Sequence, residues 1–309
     1  MTGNGTNITP ERWIKTYLAQ LENHDMWAQF VTYAAGPETF VEKGAGDTIR
    51  VNYFSQMDVP SSSLTQGTLI ARGTQTTSQA SLTVVEEGNR LDISGLQAWF
   101  VDSPLVQTAV ESCVANALQT NDARIGEVFV GATSYFSITG TDSYKENLDT
   151  GTQGTSLFLP VHARKITQRL RRIGIAPMAD GYYHAVGQAG AWEGMMAQTS
   201  FADNAARLGQ AGPFNKGLVG EFGGIKFHDE LGANNSCTWS ETVGTSVIFG
   251  ADPVIGGNDI NRPDLITFYP DPDSDAKRLS RVTWYNLQAY AVPLQGTTNA
   301  RVFKLYHKC

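Results

Sequence analysis

Thr48-Ile49-Arg50-Val51-Asn52-Tyr53 alternates polar and apolar side chains, and Ser81-Leu82-Thr83-Val84, leading to Leu91-Asp92-Ile93, does so in part. That period of two predicts strands with one face turned to an apolar layer. Between them, Ser61 to Ser81 is dominated by Ser, Thr, Gln and Gly, with Ser61-Ser62-Ser63 and Thr74-Gln75-Thr76-Thr77 as its plainest runs. Two strands joined by a polar tip make a long ribbon with almost no core of its own. An isolated ribbon is marginal in water and leaves its edges unpaired. Residues 47–94 therefore form either a ribbon held by packing on another copy of the chain, or a polar, linker-like loop.

Upstream, residues 1–46 read as an N-terminal arm. Thr9 can cap a helix opened by Pro10, with Glu11 in its first turn. Trp13, Ile14, Tyr17, Leu18 and Leu21 follow at helical spacing, and Met26, Trp27, Phe30 and Val31 make a second small apolar cluster. Helices this short are not stable alone, so the arm must lie on its own body or on a neighbour.

Downstream, Ser103 and Pro104 open the clearest helix, over 103–119. Leu105, Val106, Ala109, Val110, Cys113, Val114, Ala117 and Leu118 form one apolar stripe, and Asn121-Asp122 and Gly126 follow its end. Residues 133–154, rich in Thr, Ser and Gly, read as a loop or boundary. A second helix is expected at about 161–173, with Ile166, Leu170 and Ile173 on one face and Gly174 as its stop. Its other face carries Arg164, Lys165, Arg169, Arg171 and Arg172, a solvated face, a phosphate contact, or a partner for Glu86-Glu87 of another copy. Strands are expected at Gly181 to Val186, Gly223 to Phe227 and Val243 to Gly250, and a helix or two at 190–208. Residues 252–275 read as mostly irregular. Arg281 to Val292 and Ala300 to His307 read as a hairpin turning at Gly296-Thr297-Thr298-Asn299. The order of elements argues for an α+β fold.

A chain of 309 residues can bury a real core. Charged residues make up 17 %, below the usual ~25 %, and Gly, Thr, Ser, Gln and Asn take their place. Such a surface is polar yet cheap to desolvate, which suits a protein covered by other chains. The net charge of −7 argues against a dedicated duplex binder, though not against a container whose wall need not grip nucleic acid. Cys113, Cys237 and Cys309 stand far apart and outline neither a disulfide framework nor a zinc site. No run approaches a membrane span, and Met1 to Thr9 lacks the regions of a signal peptide.

Catalytic and cofactor signatures are missing: no phosphate-binding glycine loop, nucleophile elbow or H-E-x-x-H. Asp271-Pro272-Asp273-Ser274-Asp275 begins like a calcium loop, but Ala276 replaces the turn glycine and Val282 the closing glutamate. His228-Asp229-Glu230 sets three possible ligands in a row, but strand neighbours point to opposite faces. His184, four residues after Asp180, is weak support for a base. No catalytic, cofactor-binding or metal residue is assigned, and the chain is read as no enzyme. A hydrolase using His184 or His228 is the least favoured alternative.

The order of segments resembles the major capsid proteins of tailed phages with the Hong Kong 97-type fold, especially the coliphage N-four type branch. Gly46-Asp47-Thr48-Ile49 before the ribbon looks like the entry to the extended E-loop, and Asp102-Ser103-Pro104 before the helix like the start of the spine helix. Ala176-Pro177-Met178-Ala179-Asp180-Gly181-Tyr182-Tyr183 and Gly217 to Ile225 resemble strands of the axial (A) domain. Trp284 to Ala289 resembles the return to the peripheral (P) domain. Val186-Gly187-Gln188 departs from the branch's His-Pro pair, and no residue matches the Lys–Asn cross-link partners of the founding member.

The resemblance implies an N-terminal arm at 1–46, an E-loop at 47–94 and a P domain with spine helix at 95–154. An A domain at 155–276 and P-domain return strands at 277–309 complete it. It further implies an icosahedral head shell of hexamers and pentamers, made in the bacterial host cytoplasm. Scaffolding and portal proteins, a decoration protein and packaged double-stranded DNA would be its partners, with no cofactor. An encapsulin-like cellular compartment is the alternative with the same fold.

Overall fold

The computed structural model describes residues 26–33, 48–54, 77–94, 105–146, 154–188, 190–198, 218–230, 244–258, 267–270, 279–293 and 300–308. The helix expected after Thr9, the ribbon tip, the Ser103-Pro104 cap, Cys237, Cys309 and the acidic turn at 271–275 lie outside them.

A 3₁₀ turn, Ala28–Phe30, leads into β1 (Val31–Tyr33), and the ribbon strands are β2 (Thr48–Phe54) and β3 (Thr77–Thr83). β4 (Val85–Ser94) continues from β3 and is followed by α1 (Leu105–Val130), β5 (Tyr135–Ile138), β6 (Tyr144–Glu146) and α2 (Pro160–Arg172). Then come β7 (Tyr183–Gly187), the one-turn α3 (Glu193–Met196), β8 (Leu218–Phe222), β9 (Ile225–Asp229) and β10 (Gly244–Phe249). The chain closes with β11 (Val254–Asn258), β12 (Thr267–Pro270), β13 (Leu279–Ala291) and β14 (Val302–His307). Strands outnumber helices and are not laid out as alternating βα units, so the fold is α+β.

Two larger sheets divide these strands. One runs β1-β11-β13-β12, with β4 along the opposite edge of β13, and the other runs β6-β5-β14-β10-β7-β9-β8. β13 and β14, expected as a hairpin, belong to different sheets. β13 pairs with β4, β11 and β12, while β14 pairs with β10 and β5. Turn chemistry marks where the chain bends but not which strand it then joins. Strands also occupy two stretches read as irregular. β5 and β6 lie in the Thr- and Ser-rich 133–154 stretch, and β11 and β12 in the Pro- and Asp-rich 252–275 stretch. Each strand is short and is held by pairing with a neighbour: β11 and β12 by the long β13, β5 by β14 and β6 by β5. Of the helices expected at 190–208, only the single turn of α3 falls among the described residues.

α1 runs 26 residues, past Asn121-Asp122 and Gly126, where it was expected to have ended. The extension is tertiary in origin. Asn121 accepts a hydrogen bond from the Tyr290 hydroxyl at 2.8 Å, and Asp122 accepts one from the Trp27 amide at 2.7 Å. Ile125 and Phe129 then continue the buried face begun by Ala109, Cys113, Val114, Ala117 and Leu118. The first half of that face packs on Val282 and Trp284 of β13, and the second half on Trp27 and Phe249. At ~1.5 Å per residue the helix is about 39 Å long.

The seven-stranded sheet is covered on both sides. Ile166 and Leu170 of α2, with Phe158, Trp192 and Met195, bury Phe227, Ile248 and Leu305 on one face. Trp27, Phe30, Ile125 and Phe129 bury Val186, Val247, Phe249 and Val302 on the other. All six residues of β10 are buried, the signature of a central strand. α2 stops as expected at Gly174, whose φ is +81°. Gly223 and Gly224, at φ +63° and +89°, are not part of a strand but the two-residue turn between β8 and β9, a conformation that excludes most side chains.

Candidate functional site

The ribbon exists. β2 and β3 pair antiparallel over seven residues, from Thr48↔Thr83 to Phe54↔Thr77. Thr77 to Ser81, expected in the polar tip, is already strand. The register puts Val51 opposite Ala80 and Ile49 opposite Leu82, while Arg50 faces Ser81 and Asn52 faces Gln79. One face of the ribbon is thus apolar and the other polar. The apolar face is not left to another copy at its root. Leu82 and Val84, wholly buried, pack on Ile255, Leu287 and Ala289 of the five-stranded sheet, with Val51 beside them. The root borrows the core of its own chain.

The charges at this root are also satisfied within the chain. Glu87 accepts hydrogen bonds from Arg124 of α1 and from Gln288 of β13, and Arg124 reaches Glu127 at 2.8 Å. With Thr83, Val85 and Tyr290 these groups line a cleft of about 330 Å³. The basic face of α2 is likewise engaged. Lys165 pairs with Asp142 at 2.6 Å and Arg169 with Glu146 at 2.7 Å, while the Arg164 guanidinium lies over the Phe222 ring at 5.0 Å. The expected partnership of this face with Glu86-Glu87 of another copy therefore loses its best acidic member to Arg124.

Sequence spacing did not reveal that His184 and His228 meet. β7 and β9 run parallel with Val186 opposite His228, which makes the two histidines diagonal neighbours. His184 Nδ1 lies 2.9 Å from His228 Nε2, and His184 Nε2 lies 3.1 Å from Asp180 Oδ2. Lys226 Nζ donates to the same Asp180 oxygen at 2.6 Å. A neutral ring has one donor and one acceptor. With His184 donating to Asp180, it accepts from His228, and His228 Nδ1 is left buried without a hydrogen-bond partner. Burial lowers both histidines, His228 to about 3 with the His184 charge contributing. Burial would raise the Asp180 carboxyl, but hydrogen bonds from Lys226 and the Tyr182 amide outweigh it and hold the carboxyl below its ordinary value.

The two rings are buried, while Asp180 and Lys226 at the end of this chain of contacts are partly exposed. Phe30 closes over the two rings, with centroids 5.1 Å from His184 and 5.5 Å from His228, so they lie beneath the N-terminal segment. As expected for a strand, His228 and Glu230 are buried while Asp229 between them is half-buried. Glu230 accepts from the Trp27 indole at 3.0 Å. Among the described residues no group of three His, Cys, Asp or Glu side chains could hold a metal ion. The other two buried histidines are local struts. His162 accepts the Leu159 amide at 3.0 Å and contacts the Gly140 carbonyl at 2.9 Å, and His307 lies 2.9 Å from Ser246 Oγ.

Neither a protein-family model nor a curated protein sequence matches this chain. Solved structures do. The capsid of Ralstonia phage GP4 matches over 87 % of this chain and 86 % of its own, with a TM-score of 0.62 and 11 % identity. The Cyanophage Pam1 capsid matches over 92 % of each chain, at TM-score 0.61 and 13 % identity. The capsid of Helicobacter pylori bacteriophage KHP30 matches over 85 % of each, at 0.58 and 14 %. The chain has the Hong Kong 97-type capsid fold. At such low identity the likeness is one of backbone path, and it does not single out the coliphage N-four type branch.

Proposed function

We propose that this chain is a major capsid protein, a structural subunit that assembles with its copies into the icosahedral head shell of a tailed phage. The observation that carries the reading is the match of 87–92 % of the chain to phage capsids, over a similar share of theirs. The packing agrees: the two histidine rings that meet in the fold lie beneath Phe30, covered by the N-terminal segment. In this reading residues 1–46 are the arm and 47–94 the extended loop. Residues 95–154, with the helix α1, and the return strands at 277–309 make up the P domain, and residues 155–276 the A domain. Hexamers and pentamers in the virion head, scaffolding and portal proteins, a decoration protein and enclosed double-stranded DNA belong to the same proposal. Many modest contacts repeated by symmetry make such a shell durable.

The ribbon supplies the test. Deleting residues 60–76 removes the tip and spares the paired strands and their buried root. The variant is expected to stay soluble and folded by circular dichroism while negative-stain images show no shells. Shells of normal size from the deletion variant would refute the role given to the tip.

A further inference from the structure

β4 pairs with β13 along one edge, over ten residues from Val85↔Gln288 to Ser94↔Leu279. Among the described residues no strand pairs with its other edge. Such an edge offers a row of backbone donors and acceptors to another chain, and proteins commonly guard it with charge. β4 carries charge, but in an order that does not repel its own copy. Glu87 is turned to Arg124 and Gln288. Glu86 and Arg90 are exposed and stand at equal distances on either side of Gly88, and Arg90 has only a loose contact with Asp92 at 3.6 Å. Val85 and Leu91 also stand symmetrically about Gly88, 49 % and 40 % exposed. They are two of the five large apolar side chains exposed among the described residues.

We propose that the outer edge of β4 pairs antiparallel with the same edge of a second copy, across a two-fold axis at Gly88. In that register Val85 faces the partner's Leu91, Glu86 faces the partner's Arg90, and Glu87 faces the partner's Asn89. Symmetry then repeats each pair. Directly opposed residues share a face of the joined sheet, so the apolar pairs gather on the α1 side and the ion pairs on the other. The neighbouring registers that keep these faces are worse. Centring on Glu87 sets that carboxylate against its own copy, and centring on Asn89 sets Glu86 against the partner's Asp92. Like charges directly opposed destabilise a pair of strands, so the sequence selects the axis at Gly88. An isologous contact of this kind is the commonest way for identical subunits to meet.

The proposal rests on the shell reading and names one contact between copies within it. Opposed residues of an antiparallel pair stand about 4.5–5.5 Å apart at Cα, within disulfide range. The V85C/L91C double variant, assembled and mildly oxidised, is expected to run as a covalent dimer on a non-reducing gel, and each single variant as a monomer. The E86R variant should lose most of its particle yield, and E86R/R90E should recover it. Particles of the double-cysteine variant without the cross-link overturn the pairing, as does an E86R variant that assembles like the parent. If the parent forms no particles, the shell reading falls instead. The cross-link measured on concentrated soluble protein then decides the strand pairing alone, its presence supporting the pairing and its absence overturning it.

Discussion

At the scale of single residues, the buried histidines set how this fold responds to acid. An unfolded histidine takes up its proton near 6.5, whereas His228 in the fold waits until about 3 and His307 until about 4, both through burial. Their contribution to stability is whole above about 6.5 and drains as the pH falls below it. Asp122 and Asp229 work in the opposite sense. Burial raises each carboxyl from 3.8 to about 6, so the folded chain gains on the unfolded one as the pH falls through that interval. His228→Gln keeps a donor toward His184 and abolishes the titration. Its stability should fall less steeply than the parent's below pH 6.5, by up to about 1.4 kcal/mol per pH unit, in chemical denaturation at a series of pH values. Identical slopes would mean that His228 is not held neutral. None of this was legible in the sequence. His184 and His228 are 44 residues apart, and only the parallel pairing of β7 with β9 brings them within hydrogen-bonding distance.

Among the elements, the ribbon was the most legible and also the most instructive. The alternation in 48–53 and 81–84 marks which side chains share a face, and the register confirms it pair by pair. What alternation cannot say is what covers the apolar face. Leu82 finds Ile255, Leu287 and Ala289 of its own chain, so the root should unfold with the body and not fray. Leu82→Ala is expected to cost about 2–5 kcal/mol and to raise amide exchange across 77–83 toward that of an unanchored strand. A cost well below 1 kcal/mol would show the root to be held by other means. α1 makes the complementary point. Its stripe through Leu118 was visible, but its last turns depend on Tyr290 and Trp27, residues on distant segments.

Across the whole molecule, Met26–Tyr33 acts as a clamp. β1 joins the five-stranded sheet beside β11, while Trp27 and Phe30 sink into the layer between α1 and the seven-stranded sheet. Trp27 packs against Phe129 with tilted rings, 4.8 Å between centroids, and donates through its amide to Asp122 and through its indole to Glu230. Trp27→Ala removes one of the two wholly buried tryptophans among the described residues and takes the indole donor from Glu230, while the backbone amide to Asp122 remains. A loss of about 3–5 kcal/mol is expected, read as one cooperative thermal transition at lower temperature. Two separate transitions would show that the sheets are joined by something other than this clamp.

What the sequence by itself determined is local: the alternating ribbon strands, the apolar stripes of α1 and α2, the stop at Gly174 and the want of any catalytic spacing. Each of these depends on residues a few positions apart, where backbone geometry turns spacing directly into a shared face. Only the tertiary structure decided that β13 and β14 part into different sheets, that α1 runs on to Val130 and that two histidines meet under Phe30. Those outcomes are settled by which distant surfaces fill each other's voids and satisfy each other's polar groups, and chain order does not carry that information.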